Sequence, residues 1–203
     1  MSSPSTSTGQ NLAGYFARGS ADDTALLTVD GPTTVGQLVE RVARWRAALT
    51  AAGVGKGDRV AILDGNSVEF VLVHVATVGI GAISVPLNHE APALELVPQL
   101  ETVDPAAIFV GADAEGAWLS LSTPLTERRL PPPGESAGDD PGLVAVGADA
   151  PALPMFTSGT AGTPKAAILT HGNLLSSLQS VLSLPIDLVN EHQTYLGVIP
   201  LFH

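Results

Sequence analysis

Short apolar segments alternate with longer segments in which apolar residues recur every three or four positions, and this alternation limits the possible folds most strongly. The pattern predicts helices over residues 34–52, 67–78 and 91–102 and strands over residues 59–63, 82–85 and 106–110. Strand–helix–strand units with short connections place their strands side by side in a parallel sheet through right-handed crossovers. We therefore predict an α/β fold in which helices flank a parallel-rich sheet.

Local signals mark the ends of these helices. Gly53 stands where a left-handed cap would end the first helix. Asn66, with Glu69 three residues later, predicts a capping box at the start of the second helix. Three arginines of the first helix lie off its apolar stripe and are predicted to be ordinary solvated charges: Arg41, Arg44 and Arg46.

The periodicity disappears between residues 119 and 154. Residues 131–134 read Pro-Pro-Pro-Gly and residues 139–142 read Asp-Asp-Pro-Gly, sequences that suit neither a helix nor a central strand. We predict a Pro/Gly-rich surface loop at about 120–152 in which Asp139 and Asp140 are solvated. The segment after this loop is too short for a core of its own, so residues 21–203 are predicted to form one domain.

Composition excludes several classes of function. The net charge of −11 opposes binding to nucleic acid, and the absence of cysteine excludes a disulfide scaffold, a thiolate metal site and a cysteine nucleophile. Residues 1–20 are predicted to be a flexible tail, and the uncharged, Ser/Thr-rich residues 1–10 do not resemble a secretory signal. The apolar stretch 68–87 contains polar residues and a proline, so we predict protein interior and no membrane span.

Residues 157–165 are the segment in which a binding function is best supported. They read Thr-Ser-Gly-Thr-Ala-Gly-Thr-Pro-Lys and contain one of only two lysines in the chain. A short apolar segment, residues 155–156, precedes them, and residues 166–169 and a predicted helix through Leu182 follow. Glycines let backbone N–H groups approach an anion, hydroxyls donate to phosphate oxygens, and lysine supplies a point charge. The alternative is a Ser/Thr/Gly turn with a solvated lysine. A standard P-loop fits poorly, because Pro164 precedes Lys165 and Ala166 follows it.

The same segment resembles the phosphate-binding signature of the adenylate-forming (AMP-binding) superfamily, which includes acyl-CoA synthetases, adenylation domains of peptide synthetases and luciferases. Other segments are similar to further motifs of that family: residues 34–38, 57–62, 66–67, 81–88 and 169–174. Residues 200–203, Pro-Leu-Phe-His, are similar to the next motif, in which an aromatic residue and a histidine line the acyl and pantetheine side of the site.

The resemblance implies activation of a small-molecule carboxylic acid by ATP to an acyl adenylate, followed by transfer to CoA. ATP, Mg²⁺ and CoA are the implied cofactors, and the cytoplasm is the implied location. It assigns ATP binding to these residues: Thr157, Ser158, Gly159, Thr160, Gly162, Thr163 and Lys165. His203 is assigned to the substrate side, and no residue of this chain is assigned to catalysis or to a metal.

Two positions and the length depart from the family pattern. Ala161 replaces a hydroxyl residue and Ala166 replaces the usual glycine after the lysine. A missing hydrogen bond to a charged group costs about 1.5 to 3 kcal/mol, so ATP binding would be weakened. Synthetases of this family are more than twice as long, and we expect the chain to be an N-terminal portion of the large domain, without the C-terminal lid and inactive alone. The alternatives are an adenylation domain that loads a carrier protein and a non-catalytic nucleotide-binding fragment.

The five histidines do not form a metal site, since no pair has ligand spacing with a third partner. His74, inside an apolar helix, is predicted to be a satisfied core residue, and His171 an N-terminal helix contact. His203 alone receives a functional role, and that role rests on the resemblance.

Overall fold

The computed structural model describes residues 11–134, 138–157, 165–183 and 194–202. The strands are β1 (Thr24–Thr28), β2 (Gly31–Thr34), β3 (Arg59–Leu63), β4 (Ile83–Leu87), β5 (Ala107–Val110), β6 (Arg129–Leu130), β7 (Pro151–Thr157) and β8 (Lys165–Thr170). The α-helices are α1 (Val35–Ala51), α2 (Val68–Gly79), α3 (Ala93–Val103), α4 (Glu115–Leu119) and α5 (His171–Leu182), and 3-10 turns cover Leu12–Tyr15, Ala112–Ala114 and Pro124–Arg128.

A four-stranded parallel sheet organises the chain. Its strands lie in the order β4-β3-β5-β6, and β3 pairs in parallel with both β4 and β5. Two antiparallel pairs accompany it, β1 with β2 and β7 with β8. The α/β fold and the parallel sheet are therefore confirmed, and strand 59–63 begins and ends where the sequence predicts.

Alternate residues of β3 and β5 face two separate cores. Val60, Ile62 and Phe109 lie with α1 and α2 on one face, whereas Ala61 and Ile108 lie with α3 on the other. This division follows from the two-residue period of a strand, and both sets are buried because helices cover both faces. The α2 and α3 connections lie on opposite faces of the sheet. In the strand order β4-β3-β5-β6, the chain leaves β3 toward β4 and leaves β5 toward β6, which are opposite directions. Such a reversal opens a crevice at the carboxyl ends of the two strands.

The helix signals are confirmed at α1 and are wrong by one residue at α2. Gly53 has a φ of +83°, the left-handed conformation that suits glycine. The Ser67 hydroxyl, rather than Asn66, caps α2 by accepting from the Phe70 N–H at 2.9 Å. Glu69 therefore forms no capping box and instead accepts from the Trp45 indole N–H at 2.9 Å and pairs with Arg41.

The prediction that Arg46 is an ordinary solvated charge is wrong, whereas Asp140 is exposed as predicted but forms an ion pair with Arg46. Arg46 is only 9% exposed, and its Nε donates to Asp140 Oδ1 at 2.7 Å. The hydrogen bond from Arg46 holds the pKa of Asp140 below its usual range. The residues after Asp140 then run across the end of α2, where the Val144 N–H donates to the Gly79 carbonyl at 2.8 Å. The two charges meet only because the long segment folds back onto α1 and α2.

The region predicted as a surface loop at about 120–152 also contains ordered structure. Residues 124–130 form a 3-10 turn and the short strand β6, which extends the parallel sheet. Val146 is buried, and the strand β7 begins at Pro151. We call residues 140–146 the strap.

Part of the stretch predicted as a flexible tail is packed. Asn11 and Leu12 are buried, and Asn11 Nδ2 donates to the carbonyls of Gly79 and Val144 at 2.9 and 2.8 Å. A tail prediction for residues 1–20 is therefore wrong over residues 11–15, because one asparagine side chain joins this turn to both α2 and the strap. Residues 68–87 form α2 and β4 in the interior as predicted, and no helix in the described part of the chain is long and apolar enough to cross a membrane.

Candidate functional site

The predicted phosphate loop is carried at the tip of the β7–β8 hairpin. Thr157 is the last residue of β7, Lys165 is the first residue of β8, and the two are direct partners in the antiparallel register. Both ends of the seven-residue connection 158–164 are thereby brought together. The loop residues Ser158, Gly159, Thr160, Gly162 and Thr163 lie outside the described residues, as does His203, and only the backbone is described at Thr157 and Lys165.

The hairpin is held against the main body by its first strand. Ala152 is fully buried in the core beside α1 and α2, and Phe156 packs against the other core. Small residues of β8 pair with larger residues of β7, Ala166 with Phe156 and Ala167 with Met155. These contacts set the orientation of β7 and β8 relative to the main body.

The start of α5 fixes the other end of the hairpin. The His171 and Gly172 N–H groups donate to the carbonyls of Ala150 and Ala148 at 3.0 and 2.8 Å. A Cβ at Gly172 would lie 2.7 Å from the Ala148 oxygen, so the close approach requires glycine. Thr170 and Asn173 form a reciprocal capping box, each side chain accepting from the backbone N–H of the other. Residues 169–174, which are similar to a family motif, thus form the junction of β8 and α5 and contact the residues just before β7.

The role predicted for His171 is corrected by the structure. Its ring is fully buried, and Nδ1 accepts from the Leu12 N–H at 3.0 Å. Burial lowers the pKa of His171. The histidine therefore joins the N-terminal turn to the start of α5, a contact across 159 residues that no local pattern could indicate.

His74 is the satisfied core histidine that the sequence predicts. Nδ1 lies 2.8 Å from the Ser84 hydroxyl, a contact between α2 and β4. Burial lowers the pKa of His74 to about 4. The ring is therefore neutral at physiological pH and supplies no charge to a site.

A second group of polar residues lies at the carboxyl ends of β3 and β5. Asp64 follows β3, is 3% exposed and accepts from the Ser67 hydroxyl. Burial raises the pKa of Asp64, although the Ser67 hydrogen bond acts in the opposite direction. Gly111 follows β5, and any Cβ there would overlap the Asp64 carboxyl group. The crevice between the two strands is thus filled by Asp64 itself.

Asn66 connects this crevice to the last described residues. Its Nδ2 donates to the carbonyls of Gly197 and Ile199 at 3.3 and 3.0 Å, and its Oδ1 accepts from the Leu201 N–H at 2.8 Å. Phe202 packs edge-on against His89, which follows β4, with ring centroids 5.9 Å apart. The sequence predicts only a helix cap at Asn66, not this role. The available signal was an asparagine just after a buried strand, inside a segment similar to a family motif.

The described side chains offer no metal site. Within those residues, no three His, Cys, Asp or Glu side chains lie close enough together to hold an ion. The structure therefore assigns Mg²⁺ to no described residue.

Comparison with known proteins agrees with these features. The sequence profile of the family described as AMP-binding enzyme matches residues 15–203. A feruloyl-CoA synthase of Amycolatopsis sp is 36% identical over 189 residues, which cover 92% of this chain and 38% of that protein. The chain thus spans well under half the length of this curated relative.

Solved structures give the same result. The o-succinylbenzoate CoA synthetase MenE of Bacillus subtilis, in complex with the acyl-adenylate intermediate OSB-AMP, matches with a TM-score of 0.76 and 28% identity over 95% of this chain and 50% of that one. ATP-bound MatB of Rhodopseudomonas palustris matches with a TM-score of 0.71 and 27% identity over 86% of this chain and 37% of that one.

Proposed function

The chain belongs to the AMP-binding enzyme family, and from that premise we propose that the full protein is an acyl-CoA synthetase. In the first step, a carboxylate oxygen attacks the α-phosphorus of ATP, the bond to pyrophosphate breaks, and an acyl adenylate forms. In the second step, the sulfur of CoA attacks the acyl carbon and AMP leaves. The names of the CoA-ligating relative and of the structure holding an acyl adenylate support this order of steps.

The pairing of Thr157 with Lys165 is the observation that carries the proposal. This pairing brings together the two ends of a connection rich in Ser, Thr and Gly, and the hydroxyl and backbone N–H donors of such a sequence suit phosphate oxygens. On a chain of net charge −11, local donors and one lysine must offset the repulsion between a polyphosphate and the protein.

Within this proposal, each loop residue has a distinct chemical contribution. The hydroxyls of Thr157, Ser158, Thr160 and Thr163 donate to phosphate oxygens, Gly159 and Gly162 allow close backbone approach, and Lys165 neutralises charge. The proposal assigns His203, which follows Phe202 in sequence, to the acyl side. Mg²⁺ accompanies ATP and lowers the negative charge of its phosphates, and we assign its ligands to no residue described above.

The location and acceptor also belong to the proposal. CoA is the acceptor because the relative is named a CoA synthase, and we place the reaction in the cytoplasm, where ATP and CoA are both available as co-substrates. A small-molecule carboxylic acid is the remaining partner.

Pyrophosphate exchange tests the proposal directly. The full-length protein should incorporate labelled pyrophosphate into ATP in the presence of one acid from a panel that starts with ferulate and o-succinylbenzoate. Adding CoA should then produce the acyl-CoA and AMP in equal amounts. If exchange is followed by acyl transfer to a carrier-protein thiol but not to CoA, the carrier protein rather than CoA is the acceptor. Absence of exchange with every acid, from a folded protein that binds ATP, would contradict carboxylate activation.

A further inference from the structure

Asn66 uses its whole side-chain amide on one segment of backbone. Its nitrogen donates to Gly197 O and Ile199 O, and its oxygen accepts from Leu201 N. The three partners are alternate residues of a segment that bends at Ile199 and turns at Leu201, so one side chain meets the segment at three points. The partners lie at least 131 residues away in sequence, which makes this a tertiary contact rather than a local turn.

The segment that Asn66 contacts has little packing of its own. Apolar side chains at Leu196, Val198 and Ile199 are 86%, 73% and 69% exposed. Burial of these side chains therefore contributes little to the position of the segment, and directional hydrogen bonds carry more of the positional information.

Asn66 itself is held in a fixed place. It lies between Asp64, which is buried beside Gly111, and Ser67, which caps α2. The hydrogen bond from the Ser67 hydroxyl to Asp64 closes this short connection. A rigid support is what allows one amide to set the position of a distant segment.

The segment leads directly to Phe202, whose ring meets His89 after β4. Asn66 and His89 thus hold neighbouring parts of the same segment from the ends of two adjacent parallel strands. Through these contacts, the carboxyl edge of the sheet is connected to residues 200–203, the motif that the proposed function assigns to the acyl side.

We propose that Asn66 is a positioning residue. It holds residues 197–202, including Phe202, in the place that the acyl side of the site needs in order to bind the carboxylic acid. This inference rests on the proposed acyl-CoA synthetase function. It assigns Asn66 to acid recognition, whereas the proposed function assigns ATP recognition to residues 157–165.

Hydrogen exchange tests the positioning without any assay of activity. In the full-length protein, Asn66→Ala should speed exchange of the Leu201 amide about tenfold, because its acceptor is lost. Asn66→Asp keeps the acceptor for the Leu201 N–H but replaces the donor to Gly197 and Ile199 with an oxygen that their carbonyls repel, so protection should fall in this variant as well. Asn88→Ala is the matched control, since Asn88 follows β4 at the same edge but bonds within its own loop, to the Glu90 N–H. Unchanged Leu201 exchange in Asn66→Ala overturns the proposal.

Kinetics then separate positioning from general destabilisation. Pyrophosphate exchange by Asn66→Ala should show a KM for the acid raised about tenfold and a KM for ATP within about twofold of wild type, with Asn88→Ala unchanged in both. Equal rises in the two KM values would overturn the assignment to the acyl side. If the wild-type protein activates no acid, the proposed function fails, whereas the exchange of the Leu201 amide still decides whether Asn66 holds the segment.

Discussion

Lys165 is the residue on which the proposed chemistry depends most directly. In the full-length protein, Lys165→Ala should reduce pyrophosphate exchange about ten- to hundredfold, because loss of a charge-assisted contact to phosphate is worth about 1.5 to 3 kcal/mol. The melting temperature should stay unchanged, since β8 keeps its backbone pairing with β7 at this position. Exchange assays and thermal melts check both statements.

Lys56 provides the matched control for that prediction. It is the only other lysine, is exposed, and donates to the Ala145 carbonyl of the strap at 3.3 Å. Lys56→Ala should leave pyrophosphate exchange at the wild-type rate. Equal activity of the Lys165→Ala protein and the wild type would instead favour a solvated turn without a phosphate role.

Ala161 offers a test in the opposite direction. The family pattern has a hydroxyl residue here, so Ala161→Thr should add a donor to the loop and lower the KM for ATP by up to about tenfold. Serine at the same position should act similarly, whereas valine, which has the shape of threonine without the hydroxyl, should bring no gain. A valine variant that equals the threonine variant would show that shape rather than hydrogen bonding controls the loop.

The buried histidine His74 predicts a pH dependence of stability. Its pKa is about 4 in the folded state and 6.5 when unfolded, so the unfolded chain takes up the proton first as the pH falls. The free energy of unfolding should therefore decrease between pH 6.5 and about 4, by about 2 to 3 kcal/mol from this group. His74→Asn keeps a polar atom facing Ser84 and should flatten that slope in thermal melts across the pH range. An identical slope in the variant would assign the loss of stability to other groups, such as the buried His171.

At the scale of elements, the ion pair between Arg46 and Asp140 fastens the strap to α1. Asp140→Ala should lower the free energy of unfolding by about 1 to 3 kcal/mol, because Arg46 would remain nearly buried without its partner. The neighbouring exposed residue gives the control, and Asp139→Ala should change stability by less than about 0.5 kcal/mol. Denaturant unfolding measures both variants, and equal effects would mean that the pair does not hold the strap.

The same pair should make the strap sensitive to acid. The pKa of Asp140 is lowered by the hydrogen bond from Arg46, so the stabilisation is present above the unfolded pKa of 3.8 and is lost as the pH falls through the lower folded value. The loss of stability from Asp140 therefore occurs at lower pH than the loss from His74, so the two effects on the free energy of unfolding can be measured separately.

At the scale of the whole molecule, the chain matches less than two fifths of a feruloyl-CoA synthase. We expect the 203-residue chain to show no pyrophosphate exchange with any acid above a heat-inactivated control, because it spans only 38% of that relative's length. The full-length protein, assayed beside it with the same acids, is the positive control. Exchange by the 203-residue chain alone would contradict this expectation.

Features that depend only on neighbouring residues could be predicted from the amino-acid sequence. Local backbone geometry sets the two-residue period of strand 59–63, the helical period after Thr34 and the need for glycine at Gly53. These features can therefore be predicted from short stretches of sequence. The family resemblance of residues 157–165 is local as well, because a phosphate loop is a short contiguous motif.

The pairing of distant polar residues could not be predicted in this way, because it depends on how the chain folds. Arg46 and Asp140 are 94 residues apart, Leu12 and His171 are 159 apart, and Asn66 and Leu201 are 135 apart. No periodic pattern encodes such a pair, since each partner alone looks like an ordinary solvated charge, cap or helix contact. The first two contacts form because burial of Ala13 and Val146 brings the N-terminal turn and the strap onto the main body, and polar groups carried inward must then find partners. The exposed last segment is held by hydrogen bonds instead.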